Sequence, residues 1–174
     1  MIRPDARARA AMVRVDQAGE YGATRIYAGQ LAVLGGRHPV AREIARMAAQ
    51  EERHQAHFDA MLVARGVRPT LLAPMWRVAG FALGAATALI GPEAAMACTA
   101  AVETEIDRHY EDQRTALGDS DPPLGDAIEE FQAEEVEHRA AAIAAGAERA
   151  PAYPLLSTAI RLGCRIAIGL SQRI

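Results

Sequence analysis

Apolar positions recur every three to four residues along most of this chain, the period of helices that bury one face. Asp5 stands where a cap belongs, before a first such stretch that runs to about 34 and stops at Gly35-Gly36 and Pro39. A second covers about 39–65, with Ile44, Met47, Ala48, Phe58, Met61 and Leu62 in helical register. Residues 66–74 read as a connector, with Pro69 and Pro74 as breakers. The next segment, 75–90, is apolar and almost uncharged after Arg77. Gly91-Pro92-Glu93 has the marks of a new helix start, and predicts a helix to about 117. After a polar turn at 118–123, a further helix is predicted over about 124–147, closed by Pro151 and Pro154. A last apolar helix, about 155–171, carries Arg161 and Arg165, with Arg173 just beyond it.

The order is two helices, an apolar crossover, two more helices and a C-terminal helix. The halves 1–65 and 92–147 look like a duplicated helix pair. Four antiparallel helices joined by one long crossover form the ferritin-like arrangement, so we expect an all-α, single-domain chain over 1–174. Composition agrees: 51% of residues are hydrophobic but only 5% aromatic, which favours close-packed helices over a sheet sandwich. The net charge of −3 gives no ground for nucleic-acid binding. Cys98 and Cys164 lie in apolar helical text and read as reduced core residues of a reducing compartment. The opening arginines, Arg3, Arg7, Arg9 and Arg14, faintly resemble a transit peptide. Glu20 follows too soon for a removable leader, so they are read as a solvated helix start.

The chemistry lies in two Glu-x-x-His pairs, Glu51/His54 and Glu135/His138. Lone glutamates, Glu20 and Glu103, precede them by thirty-one and thirty-two residues. Residues three apart on a helix lie about 60° apart, so each pair can aim a carboxylate and an imidazole at one point. Two helices giving Glu and two giving Glu-x-x-His make a dinuclear iron or manganese site. Composition alone predicts about 0.4 such pairs, so two in matching helices is a specific signal. Solvated helix faces account instead for Glu52, Glu134 and Glu137. Four carboxylates offset two divalent charges, two of them can bridge, and each imidazole adds a neutral nitrogen. Hard oxygen ligands suit iron first and manganese second, whereas structural zinc prefers Cys/His sites.

Several neighbours share these faces. Asp16 and Asp107, four residues from Glu20 and Glu103, are either surface acids or acids orienting a ligand histidine. Tyr27 and Tyr110, seven residues past the lone glutamates, line the metal cavity or fill the core. His57 and His109 point about 120° away and are poor ligands. His38 reads as a solvated turn residue.

Glu93 is the only charge in 78–102, and the uncharged run 78–92 is short for a bilayer span. It reads as a helix lying in the membrane interface or framing the entrance for a lipid-like substrate, with the C-terminal arginines toward headgroups. The alternative is a helix covering the bundle as core or dimer interface.

The text around these positions resembles the demethoxyubiquinone hydroxylases, di-iron monooxygenases of ubiquinone biosynthesis. The matching stretches begin with Arg14-Val15-Asp16-Gln17-Ala18-Gly19-Glu20-Tyr21-Gly22-Ala23 and Arg25-Ile26-Tyr27-Ala28-Gly29-Gln30. Gln50-Glu51-Glu52-Arg53-His54 with Phe58 follows, then 80–99 with its Gly-Phe-Ala-Leu-Gly-Ala and Ala-Met-Ala-Cys-Thr runs. Val102-Glu103, His109-Tyr110, Glu134-Glu135-Val136-Glu137-His138 and Ala150-Pro151-Ala152-Tyr153 complete the set. The resemblance implies that Glu20, Glu51, His54, Glu103, Glu135 and His138 hold two iron ions per chain (Fe2+/Fe3+). It also implies that His109 and Tyr110 relay electrons or protons. The implied reaction is O2-dependent hydroxylation of the ring of a polyprenylated demethoxyubiquinol. The implied setting is the cytoplasmic face of a bacterial cell membrane, or the mitochondrial inner membrane in a eukaryote, with a homodimer or a larger ubiquinone-biosynthesis complex as assembly. The one departure from the family pattern is the missing organellar leader of eukaryotic members, which suggests a bacterial protein or a mature form. Competing readings on the same scaffold are a manganese catalase or rubrerythrin-like peroxidase, a ferritin-like iron store or ferroxidase, and a metal-free helical membrane scaffold.

Overall fold

The computed structural model describes residues 4–36 and 38–174; Arg3, one of the arginines weighed above, lies outside them. The described residues form six α-helices and no strand: α1 (Ala6–Leu34), α2 (Pro39–Arg65), α3 (Ala73–Ile90), α4 (Pro92–Leu117), α5 (Pro122–Ala144) and α6 (Tyr153–Ser171). The expected all-α, ferritin-like architecture is the one observed.

Local chemistry explains the ends. Asp5 caps α1, its Oδ1 accepting the Ala8 N–H at 2.7 Å, and Asp121 caps α5 in the same way through Leu124. His38, expected to be solvated, is a half-buried cap of α2 whose Nδ1 accepts the Val40 N–H at 3.3 Å. Gly66 ends α2 in the left-handed region at φ 64°, where glycine has no Cβ penalty. Four prolines read as breakers or turn residues lie inside first turns instead: Pro74 in α3, Pro122 and Pro123 in α5, and Pro154 in α6. A first-turn residue needs no N–H for the helix ladder, so proline initiates there as readily as it terminates elsewhere. Helix α5 stops at Ala144, short of the expected 147, because Gly146 turns the chain at φ 103° into a short 3-10 turn.

The four bundle helices pair through side chains whose order fixes their direction. α1 and α4 run antiparallel, with Asp16 beside Gln113, Tyr27 beside Glu103 and Gln30 beside Ala95. α2 and α5 do likewise, with Arg65 on Asp121, Arg53 on Glu130 and Gln50 on His138. Two of the three buried apolar clusters flank the polar centre along the bundle. One centres on Tyr27, Ile44, Met47 and Met96, the other on Val13, Phe58, Tyr110, Leu124 and Phe131. On every bundle helix the Glu and His positions fall between these clusters, so the polar centre is sealed above and below by apolar packing.

α3 lies along α1 with the two chains running in the same direction. The Gly-Phe-Ala-Leu-Gly run explains the closeness: a Cβ at Gly84 would sit 1.9 Å from the Ile26 carbonyl oxygen, and one at Gly80 2.9 Å from that of Gly22. Across the seam, a Cβ on Gly29 would lie 2.2 Å from the Phe81 carbonyl oxygen. α3 is long and apolar enough to cross a membrane by length and composition, yet it packs against α1 and buries only Gly84, Thr87 and Ala88. α6 rests on α4. Arg161 reaches the buried Glu105 at 2.6 Å and Arg165 stands 3.8 Å from it, so both pair with an acid of α4 while their side chains stay part-exposed. The Trp76 indole N–H donates to Ser171 Oγ at 2.9 Å, tying α3 to the end of α6.

Candidate metal centre

The six Glu and His side chains singled out by spacing converge in the middle of the bundle, none more than 3% exposed. Their ligand atoms fall into two groups, each spanning no more than 4.8 Å: Glu20, Glu51, His54 and Glu135, then Glu51, Glu103, Glu135 and His138. Glu51 and Glu135 belong to both, the arrangement needed by bridging carboxylates. Glu20 with His54, and Glu103 with His138, sit at the two ends. Both imidazoles turn Nδ1 inward. His54 Nδ1 lies 3.1 Å from Glu135 and 3.5 Å from Glu20, and His138 Nδ1 lies 3.0 Å from Glu135 and 3.2 Å from Glu51.

Each outer nitrogen has its own partner. His54 Nε2 stands 3.1 Å from Glu134, and His138 Nε2 stands 3.1 Å from the Gln50 side-chain oxygen. Glu134, read as a solvated acid, is thus partly buried and holds a ligand-position histidine. Arg53 clamps it at 2.5 Å, and burial of that carboxyl is outweighed by Arg53 and His54, which lower its pKa. Glu52 and Glu137 are solvent-exposed as expected. Gln50 and Glu134 had a readable signal: each lies four residues before the histidine on its own helix, hence on the same face.

Asp16 and Asp107 do not orient either histidine. Asp16 is buried and accepts from Gln113 at 2.7 Å and His109 at 3.2 Å. Asp107 pairs with Arg139 at 2.7 Å and accepts from Gln132, joining α4 to α5. The two tyrosines reach the centre. The Tyr27 hydroxyl donates to Glu103 at 2.9 Å, and the Tyr110 hydroxyl donates to Glu20. Burial raises both phenols well above 10, with Glu103 and Glu20 adding to the shift, so both remain donors. His109 sits on the rim between Asp16 and Gln113, and His57 is exposed, edge-on to Phe58 and Phe131.

Burial, and then the neighbouring carboxylates, push Glu51 and Glu103 well above the usual carboxyl range. For Glu135, burial is overcome by His138 and His54, which draw it down to about 2. For His54, burial is overcome by Glu135 and Glu20, which raise it to about 10. Glu51 Oε1, Glu135 Oε1 and His54 Nδ1 are buried and find no well-directed hydrogen-bond partner among the described residues. Orphaned inward-facing donor atoms, four carboxyls and two imidazole nitrogens suit a pair of hard divalent cations.

A second feature was not legible in the sequence. A cavity of about 540 Å³ runs between α1, α3, α4 and α6, lined by small and apolar side chains such as Gly22, Leu83, Gly163 and Ala167. It shares Val15, Gly19, Ala23, Ile106 and Ile168 with a narrow space bordered by Glu20, Glu51, Glu103, Glu135, His109 and Tyr110. An apolar chamber therefore adjoins the carboxylate cluster.

The family model described as ubiquinone biosynthesis protein COQ7 matches residues 7–171. The 3-demethoxyubiquinol 3-hydroxylase of Rhodospirillum rubrum is 56% identical over 162 residues, covering 93% of this chain and 76% of that protein. The human NADPH-dependent 3-demethoxyubiquinone 3-hydroxylase, mitochondrial, is 51% identical over 167 residues, covering 94% and 76%. The 5-demethoxyubiquinone hydroxylase, mitochondrial, of Saccharomyces cerevisiae is 41% identical over 179 residues, covering 94% and 77%.

Proposed function

The chain belongs to the ubiquinone biosynthesis protein COQ7 family, and on that footing we propose how this hydroxylase works. It is an oxidoreductase that hydroxylates the ring of a demethoxyubiquinol on the way to ubiquinone. In our reading one domain, 1–174, binds two iron ions through Glu20, Glu51, His54, Glu103, Glu135 and His138. The observation that carries it is the pair of buried four-residue groups sharing Glu51 and Glu135. Manganese is the second choice for the same oxygen-rich donor set.

When bound, the ions supply the redox and Lewis-acid chemistry that turns O2 into a ring-hydroxylating oxidant. The protein's share is positioning. Tyr27 and Tyr110 hold the terminal carboxylates of Glu103 and Glu20 by donated hydrogen bonds, which fixes where those oxygens point. The apolar chamber takes the quinol with the first part of its prenyl tail, its ring end facing the narrow space beside Glu20 and Tyr110. Apolar walls keep water from the reacting centre. His109, held by Asp16 and Gln113 at the rim, passes protons towards Tyr110 and Glu20.

The substrate dissolves in lipid, and we place the protein at a membrane surface: the cytoplasmic face of the bacterial cell membrane, or the inner mitochondrial membrane in a eukaryote. Support comes from the outward apolar side chains of α3 and α6, among them Val78 at 70%, Leu89 at 75% and Leu155 at 73% exposure. A homodimer or a ubiquinone-biosynthesis complex is the assembly this surface suits.

The test is elemental analysis of protein purified without added metal, alongside hydroxylation of a prenylated demethoxyubiquinol with O2 and NADPH. We expect about two irons per chain, and turnover abolished in Glu51→Ala and Glu135→Ala variants that keep their helicity. Normal hydroxylation by either variant would refute the assignment of ligands. Peroxide turnover with manganese, and none with quinol, would favour the catalase-like reading.

A further inference from the structure

An offset of 84 residues maps Glu51 onto Glu135 and His54 onto His138, and it also maps Gln50 onto Glu134. The fold therefore repeats one geometry twice and changes one group. Where His54 Nε2 meets a carboxylate, His138 Nε2 meets a neutral amide oxygen, each at 3.1 Å.

The two groups also meet each other. Gln50 Nε2 donates to Glu134 Oε2 at 2.7 Å, while its oxygen accepts from Arg46 at 2.6 Å. The amide orientation is thus set from two sides, oxygen towards His138 and nitrogen towards Glu134. Arg53 holds Glu134 from outside at 2.5 and 2.6 Å. Two carboxylates in these positions would repel each other or have to share a proton, whereas the Gln50 amide supplies the donor that the Glu134 carboxylate accepts. The bridge as built therefore gives the two histidines different outer partners.

Resting on the metal reading above, we propose that Gln50 and Glu134 are positioning residues that make the two metal positions unequal. The ion on the His54 side has the stronger nitrogen donor. An Nε2–H that donates to a carboxylate gives its ring more basic character at Nδ1 than one that donates to an amide, and such outer partners typically tune metal affinity by about 10- to 100-fold. The bridge also couples the two rings: a change at Glu134 removes the anchor of the Gln50 amide and so reaches His138.

The test is anaerobic titration of metal-free protein with Fe(II), followed by calorimetry, with Mössbauer spectra of the 57Fe(II)-loaded protein. Wild type should take up two Fe(II) in two separated steps and show two distinct quadrupole doublets. Glu134→Gln should weaken the tighter step by about 10- to 100-fold and bring the two doublets together. Gln50→Leu, which leaves the carboxylate on His54 in place, should weaken the other step and keep the tight one. Uptake of two Fe(II) in indistinguishable steps by wild type would overturn the inference while leaving the metal reading intact. So would an equal effect of Glu134→Gln on both steps. Wild type that takes up no Fe(II) would overturn the metal reading, and this inference with it.

Discussion

Tyr27 on α1 donates its hydroxyl to Glu103 on α4 at 2.9 Å, although the two residues are seventy-six apart in sequence. Tyr110, seven residues past Glu103, returns the same bond to Glu20, seven residues before Tyr27. Each half of the duplicated chain therefore buttresses the terminal carboxylate of the other half.

Tyr27→Phe and Tyr110→Phe each remove a buried donor and leave a buried carboxyl oxygen short of a partner. Each is expected to cost the metal-free protein about 1–3 kcal/mol and to lower hydroxylation while two irons are still bound. Urea denaturation, iron analysis and turnover check the three parts. Loss of iron in either variant would show the phenol to be needed for binding rather than for positioning.

Gly84→Ala is expected to destabilise by about 1–3 kcal/mol or more, since its Cβ meets the Ile26 carbonyl at 1.9 Å and backbone cannot step aside. Gly125→Ala on α5, with nothing within 4 Å, is expected to stabilise by about 0.5–1 kcal/mol. Thermal denaturation of the two variants side by side gives the comparison.

The metal-free protein should lose stability as pH rises. His54, raised from 6.5 to about 10, contributes stability that is complete below 6.5 and lost as pH passes through 10. Glu51 and Glu103, raised above 4.5, act in the same direction at pH values above 4.5. Glu135, lowered from 4.5 to about 2, opposes them only in acid, where its contribution is lost as pH falls from 4.5 through 2. Melting curves between pH 6 and 10 should show the melting temperature falling. Saturating Fe(II) under anaerobic conditions should raise it and flatten or reverse the slope, because the bound form needs deprotonated ligands. A pH-independent melting temperature in metal-free protein would contradict the charge assignment.

Gly163→Leu puts a branched side chain into the apolar chamber from a position where an added Cβ meets no atom within 4 Å. The KM for a long-tailed demethoxyubiquinol should rise about tenfold, the discrimination that one or two lost apolar contacts provide. A tail-free analogue should be affected much less. Equal effects on both substrates would place the tail elsewhere.

The helices and the six converging side chains were readable along the chain because both depend on the 3.6-residue period, which is local. Asp5, the Gly35-Gly36 stop and the three- and seven-residue spacings carry that information without reference to any other segment. Pro74, Pro122, Pro123 and Pro154 misled as boundaries because proline fits a first turn as well as it breaks an interior one. The face on which Glu134 lies was visible, but not its partner. It serves the histidine of α2 instead of the one on its own helix, and such crosswise pairing depends on how α2 and α5 are docked. Asp16 shows the converse: the right face, yet packing gives it His109 and Gln113 in place of a ligand-position histidine. The pairing of Arg161 with Glu105 and the chamber beside the carboxylates arise from where α3 and α6 rest on the bundle. A one-dimensional period specifies which face of each helix is buried; the identity of what it meets there is a property of distances between segments far apart in the chain.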